Sequence, residues 1–154
     1  MAVEFKTGDL FATPELRTFA QGCNCAGAMG KGIAVFFKQR WPKMYEEYRR
    51  RCKNGTFRLG DVFTWVETGY TIFNLGTQES WKTKAELWAI ESSINGMLRL
   101  AEEQSIRTIA LPKIGAGLGG LPWEQVKERI LNTAGSSAIE LCVCEKYIRG
   151  QPLN

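Results

Sequence analysis

Two glycine-rich stretches hold the residues best suited to chemistry. The first reads Cys23-Asn24-Cys25-Ala26-Gly27-Ala28-Met29-Gly30-Lys31-Gly32-Ile33-Ala34. Its closely spaced glycines let backbone N–H groups approach a ligand with no Cβ in the way. A helix starting after it adds its positive end. Asn24 offers donors and an acceptor, a set suited to a sugar hydroxyl. A plain surface loop is the alternative. The second stretch reads Pro112-Lys113-Ile114-Gly115-Ala116-Gly117-Leu118-Gly119-Gly120-Leu121-Pro122-Trp123. Glycines at this density before a helix make a cradle for a diphosphate. The first stretch is not a Walker-type phosphate loop, because Cys25 holds that pattern's first glycine position and Gly32 follows Lys31. Gly115, Gly117 and Gly120 match a dinucleotide fingerprint, with Glu140 20 residues on. That fingerprint belongs on an early strand–helix turn, and here only one strand is expected after it.

Single residues add to this set. Asp9 follows Gly8 at the end of the first expected strand, where its carboxylate suits either a base amino group or an Asx turn. Gln78 follows the strand ending at Leu75. Lys31, Lys82 and Lys84 read as solvated loop lysines, Lys31 being also placed for a phosphate. Tyr147 lies just past the last expected strand, where a ring can stack on a base or pack in the core. Trp41, Trp65, Trp81, Trp88 and Trp123 read as core or helix-face residues. Arg49-Arg50-Arg51 reads as a solvated helix face, or else a nucleic-acid patch. The chain has no histidine. That removes imidazole bases, His-ligated zinc and the serine or cysteine triads that need them.

The elements that must position these residues alternate. Val3 to Lys6 and Thr18 to Cys23 read as strands. Gly32 to Arg40 and Lys43 to Lys53 read as helices, the second closed by Asn54-Gly55. Val62 to Val66 and Tyr70 to Leu75 read as strands around a turn at Thr68-Gly69. Lys84 to Glu102 is the strongest helix, with Leu87, Ile90, Ile94, Met97, Leu98 and Ala101 as its apolar stripe. Thr108 to Pro112 reads as a strand, Pro122 to Thr133 as a helix and Ile139 to Cys144 as a buried strand. The order implies an α/β fold with a mixed, largely parallel sheet and helices on both faces. Both glycine-rich stretches then fall at the carboxyl edge of the strands, where such sheets bind ligands.

Length and composition bound the rest. The chain has 154 residues, 44% hydrophobic and 23% charged, which suits one domain over residues 1–154. The 20 basic and 16 acidic residues leave a net charge of +4, mildly favourable to anionic ligands. No stretch is apolar enough to span a membrane, and the first residues lack a leader pattern. Five cysteines, an odd count, suit reduced thiols in a cytoplasm. Cys23/Cys25 and Cys142/Cys144 share a C-x-C spacing that strand alternation explains better than zinc. Neither a metal nor an organic cofactor is expected.

Taken together, Gly8-Asp9-Leu10-Phe11, Asn24-Cys25-Ala26-Gly27 with Met29-Gly30-Lys31-Gly32-Ile33-Ala34, and Gly115 to Leu121 resemble the macrodomain family. The likeness covers nearly the whole chain and is nearest to the branch of ADP-ribosyl glycohydrolases and ADP-ribose 1″-phosphate phosphatases. It implies a three-layer α/β/α sandwich around about six strands, with ADP-ribose or an ADP-ribosylated macromolecule as partner, nucleic acid among the possible modified targets. It implies that Asp9 holds the adenine amino group, with Leu10 near the base. Gly115, Ala116, Gly117, Leu118, Gly119 and Gly120 would wrap the diphosphate, with Ile114 beside them a further ligand-binding candidate. Asn24 and the loop Gly27 to Gly32, with Met29, Gly30 and Lys31 in it, would surround the distal ribose; Ile33 and Tyr147 are further ligand-binding candidates. Two positions depart from the branch. Its glycohydrolases place a lysine where this chain has Gln78, and the eukaryotic glycohydrolase has an aspartate where this chain has Gly119. Hydrolysis would then rest on water held by substrate phosphate, Asn24 and Gln78, unless Lys82 or Lys84 folds inward. The alternatives are a non-catalytic ADP-ribose reader and a nucleic-acid module acting through Arg49-Arg50-Arg51. The macrodomain resemblance requires Asp9, Asn24 and the second stretch to converge on one cleft, and expects Asp9→Ala to weaken binding without affecting folding.

Overall fold

The structure, a computed structural model, describes residues 2–154. Six strands form one sheet: β1 (Val3–Gly8), β2 (Thr18–Asn24), β3 (Val62–Glu67), β4 (Tyr70–Gln78), β5 (Thr108–Pro112) and β6 (Glu140–Tyr147). Their order is β1-β6-β5-β2-β4-β3. All neighbours run parallel except β3 and β4, a hairpin. Thr68 (φ 50) and Gly69 (φ 81) close that hairpin, both with the positive φ that suits a tight turn to the twist of its strands.

Alternation along the strands divides the apolar residues between two faces. Ile109, Leu111, Leu141, Val143, Phe73 and Leu75 join the core under α3 (Leu87–Glu103) and α4 (Trp123–Ala134). Phe19, Ile72, Ala110, Cys142 and Cys144 join the core under α1 (Ala34–Arg40) and α2 (Pro42–Asn54). The result is the expected α/β/α sandwich. Cys23 lies on β2 with Cys25 just past its end, and Cys142 and Cys144 lie on β6, with β5 between the two strands. Two strand spacings, about 10 Å, are too long for one tetrahedral zinc site.

Boundaries differ from expectation in instructive places. α3 begins at Leu87, not Lys84, because Ala85 is drawn into an antiparallel bridge with Gln78 and donates its N–H to Gly119 O at 2.7 Å. α1 begins at Ala34, after Gly32 with φ +65. Asn54 ends α2 as a helical residue, and Gly55 alone takes the left-handed cap. β4 runs on to Gln78, and Tyr147 belongs to β6, paired with Gly8. No helix among the described residues is long and apolar enough to cross a membrane.

Parallel strands end on the same side. β1, β6, β5, β2 and β4 therefore carry Gly8, Tyr147, Pro112, Asn24 and Gln78 to one edge of the sheet. The loops that follow build the site there.

Candidate functional site

A cleft of about 820 Å³ runs along that edge, over β6, β5, β2 and β4. Its size suits a small-molecule ligand. The second glycine-rich stretch forms one wall. Gly115, Gly117 and Gly120 sit at φ +74, +62 and +73. That path turns the N–H groups of Gly119, Gly120 and Leu121 onto carbonyls of the same loop. Among the described residues, the N–H groups of Ala116, Gly117 and Leu118 have no protein acceptor, and all three residues line the cleft. Consecutive free amides of this kind form a concave anion site.

The first stretch forms the facing wall. Gly30, Lys31, Gly32 and Ile33 line the cleft, and their N–H groups likewise have no protein acceptor among the described residues. Met29, 2% exposed, also lines it. Asn24 organises the loop from inside. Its Oδ1 accepts from Ala26 N (3.0 Å), Ala28 N (3.2 Å) and the Tyr48 hydroxyl (3.0 Å), and its Nδ2 donates to Ala28 O at 2.8 Å. The oxygen is fully engaged, and one amide hydrogen is left for a ligand. Burial pushes the Tyr48 phenol well above its ordinary pKa, so it stays a donor.

Asn24 and Gln78 stand side by side in the β2–β4 register. Gln78 Nε2 donates to Thr83 O and to Leu118 O, joining the end of β4 to the following loop and to the second stretch. With the nitrogen engaged on backbone, its oxygen is the group with capacity to meet water or ligand. Lys82 and Lys84 are exposed and do not line the cleft; the Lys84 stem lies along Gly120. Lys31 and Lys113 are the cations that do line it.

At the other end, Tyr147 lines the cleft, its ring centroid 6.2 Å from that of Phe36. Asp9 lies behind Tyr147 rather than in the lining, and is 6% exposed. Its Oδ1 accepts from Phe11 N at 2.9 Å; its Oδ2 accepts from Gly150 N at 2.9 Å and the Tyr147 hydroxyl at 3.4 Å. The segment 148–154 closes over it, with Asp9 N donating to Gln151 O at 2.6 Å. Leu10 is fully buried in the α1/α2 core. Gly27 sits over Arg49 and Cys52 of α2, and Gly120 against Lys84; neither lines the cleft. Convergence of Asn24 and the second stretch is direct, therefore, while Asp9 reaches the cleft only through Tyr147.

Trp81, Phe36, Lys113, Thr77 and Glu145 also line the cleft and were not singled out as site residues from the sequence. Trp81 stands alone among polar residues, Glu79-Ser80-Trp81-Lys82-Thr83-Lys84. That lack of apolar periodicity is the signal against placing it in a core. The Arg49-Arg50-Arg51 run is away from the cleft. Arg50 and Arg51 share Glu47, and the Arg51 guanidinium lies 4.3 Å from the Phe63 ring centroid. The titratable groups of the lining with shifted pKa move away from neutrality. Burial raises Cys23, Cys144 and Tyr147, and the Lys127 ammonium lowers Glu145.

Comparison with known proteins agrees with this geometry. The chain is 34% identical over 135 residues to the DNA ADP-ribosyl glycohydrolase of Mycobacterium tuberculosis, covering 84% of this chain but only 38% of that relative's length. It is 27% identical to the human ADP-ribose glycohydrolase OARD1, covering 92% of this chain and 90% of the relative. The solved macrodomain of Mycobacterium tuberculosis DarG superposes with a TM-score of 0.83 at 31% identity, over 94% of this chain and 96% of that one. A Macro domain family model matches residues 20–130, from within β2 to within α4, and so spans both glycine-rich walls. The chain belongs to the Macro domain family.

Proposed function

We propose that this protein binds ADP-ribose and hydrolyses an ADP-ribose derivative at C1″ of the distal ribose. The observation that carries the reading is the pair of facing walls of free backbone N–H groups, Ala116 to Leu118 and Gly30 to Ile33, across one cleft. A diphosphate needs several donors at once, and preorganised amides supply them without reorganisation. Lys31 and Lys113 add charge. In this reading adenine lies against Tyr147 and Phe36. A carboxylate has about four acceptor sites, so Asp9, with three donors already bound, keeps one for the adenine amino group. Ribose C1″ then falls near Asn24 and Gln78, the adjacent pair at the opposite end.

The reaction follows from what that end lacks. The side chains at the adjoining ends of β2 and β4 that line the cleft, Cys23, Asn24, Thr77 and Gln78, include no lysine, carboxylate or imidazole. A water accepted by Gln78 Oε1 and by a substrate phosphate would attack C1″, breaking the bond to the leaving group. The proton passes to the phosphate and on to the leaving group. Positioning and oxyanion-type stabilisation by the loop amides supply the acceleration. The same geometry accepts ADP-ribose 1″-phosphate as a second substrate, with water attacking phosphorus and inorganic phosphate and ADP-ribose released, a reading that needs no side-chain nucleophile at C1″ either. A nucleic acid is the macromolecular target that the M. tuberculosis relative's name suggests.

The test is product analysis with ADP-ribosylated DNA, ADP-ribosylated peptide and ADP-ribose 1″-phosphate, for the wild type and Gln78→Ala. Release of ADP-ribose, reduced about tenfold or more in the variant, is expected. Binding of ADP-ribose with no turnover of any of the three would make the protein a reader.

A further inference from the structure

The cleft is built for an anion, with free amides on both walls and the cations Lys31 and Lys113 in its lining. Among the described residues of that lining, Glu145 is the one carboxylate. A carboxylate near a diphosphate site repels the ligand unless it faces an uncharged, hydrogen-bonding part of it. β6 carries a bulge at this residue. Lys6 pairs with Cys144 and Thr7 with Lys146, so Glu145 is the extra residue, with no partner on β1. A bulge bends its strand and re-aims the side chains around it. Alternation alone would put residues 145 and 147 on one side of the sheet. Here they part. Glu145 Oε1 accepts from Trp123 Nε1 at 3.0 Å and from Lys127 Nζ at 2.9 Å, both on α4. The Tyr147 ring lies by Phe36 of α1, and its hydroxyl donates to Asp9 Oδ2 at 3.4 Å. The end of β6 is thus straddled by two side chains of the lining. Among the described residues, Glu145 Oε2 has no hydrogen-bond partner.

We propose that Glu145 is a specificity-determining residue for the adenosine ribose: its free carboxylate oxygen accepts a hydrogen bond from the 2′-hydroxyl and turns away a ligand phosphorylated there. In the ADP-ribose reading, on which this assignment rests, adenine lies against Tyr147 and Phe36 and the diphosphate between the amide walls. The ribose that joins them crosses the end of β6, and its C2′ adjoins the carbon that carries adenine. A hydroxyl donating to an ionised carboxylate makes a short, strong bond. Trp123 and Lys127 fix the acceptor from behind, and Lys127 holds the carboxyl below its ordinary pKa, so it stays ionised at neutral pH. A 2′-phosphate would press a second anion against it, and like charges in contact are strongly unfavourable. Dinucleotide-binding sheets discriminate in the same way, with an acidic side chain for the free hydroxyl and a basic one for the phosphate. Lys113 shares Trp123 with Glu145, its ammonium 5.4 Å from the ring centroid. The acid therefore also keeps Lys113 and Lys127 from serving as a phosphate site.

Dissociation constants of the full chain for three ligands test this: ADP-ribose, its analogue with 2′-deoxyadenosine, and its 2′-phosphorylated counterpart. The wild type is expected to bind the deoxy analogue about tenfold more weakly than ADP-ribose, the size of one hydrogen bond to a charged group. It should bind the 2′-phosphorylated ligand about thirtyfold more weakly or worse. Glu145→Gln should shrink both gaps to about threefold or less, the second by improved binding of the phosphorylated ligand to Lys113 and Lys127 as well as by weaker binding of ADP-ribose. A residue that only braces α4 would lower all three affinities by one common factor. Three results overturn the proposal: wild-type binding of the phosphorylated ligand as tight as that of ADP-ribose, wild-type indifference to the missing hydroxyl, or an equal loss for all three ligands in the variant. Should thermal unfolding show that Glu145→Gln does not fold, the two wild-type comparisons still decide. If the wild type binds none of the three, the ADP-ribose reading itself fails and takes this proposal with it.

Discussion

Asp9 shows how one buried side chain ties distant segments together beside the cleft. Its carboxylate holds Phe11 N on one side and Gly150 N and Tyr147 on the other, so it ties the start of the chain to its last residues. The sequence alone suggested that Asp9→Ala would leave folding intact. The geometry predicts otherwise. Removing a buried carboxylate orphans Gly150 N and the Tyr147 hydroxyl, at about 1–3 kcal/mol. Urea denaturation should record that loss, with weaker ADP-ribose binding alongside. Unchanged stability would mean that segment 148–154 is held without it. Asn24 carries the same lesson: its type suggested a sugar ligand, but three donors on its oxygen make it first the organiser of its own loop.

At the scale of elements, the second glycine-rich stretch sets the most testable constraints. A Cβ at Gly115 would lie 2.5 Å from Ile90 Cδ1, at φ +74. A Cβ at Gly117, at φ +62, would meet nothing within 4 Å. Gly117→Ala should therefore cost about 1 kcal/mol from backbone strain alone. Gly115→Ala adds repacking of the fully buried Ile90 side chain and should cost about 2–4 kcal/mol. Thermal unfolding of both variants checks the difference, and equal losses would contradict it. On α2, Arg50 and Arg51 hold Glu47 down at about 2, from an ordinary 4.5. A lowered carboxylate stabilises the fold above its unfolded-state pKa and loses that contribution as pH falls toward the folded value. The stability gap between wild type and Glu47→Gln should thus shrink between pH 4.5 and about 2. Strands and helices were legible here because alternation and the Leu87 to Ala101 stripe report burial directly. The start of α3 was not. Lys84 and Ala85 have helical neighbours in sequence, but a bridge to Gln78 holds them out, and that partner lies across the sheet edge. Trp81 was misjudged for the same reason: residue type favours a core, and only the fold places the turn on a cleft wall.

At the scale of the molecule, five parallel strand ends deliver two loops of free amides to one edge, and the chain has no histidine. The shifted groups in the lining move outward, Glu145 downward and Cys23, Cys144 and Tyr147 upward. Binding should accordingly vary little between about pH 6 and pH 8. A sigmoid step in that range would reveal a titrating group absent from this account. Salt should weaken binding only modestly, since one ligand in a preformed cleft releases few counterions, unlike a polynucleotide on a basic surface. The central claim is that the facing amide walls hold a diphosphate joined to two ribose-sized ends. Calorimetric titration with ADP-ribose, against ADP and NAD as controls, tests it most directly. The account predicts dissociation constants in the micromolar range, on the order of −8 kcal/mol, with ADP-ribose preferred over both controls. No heat with any of the three ligands would contradict it.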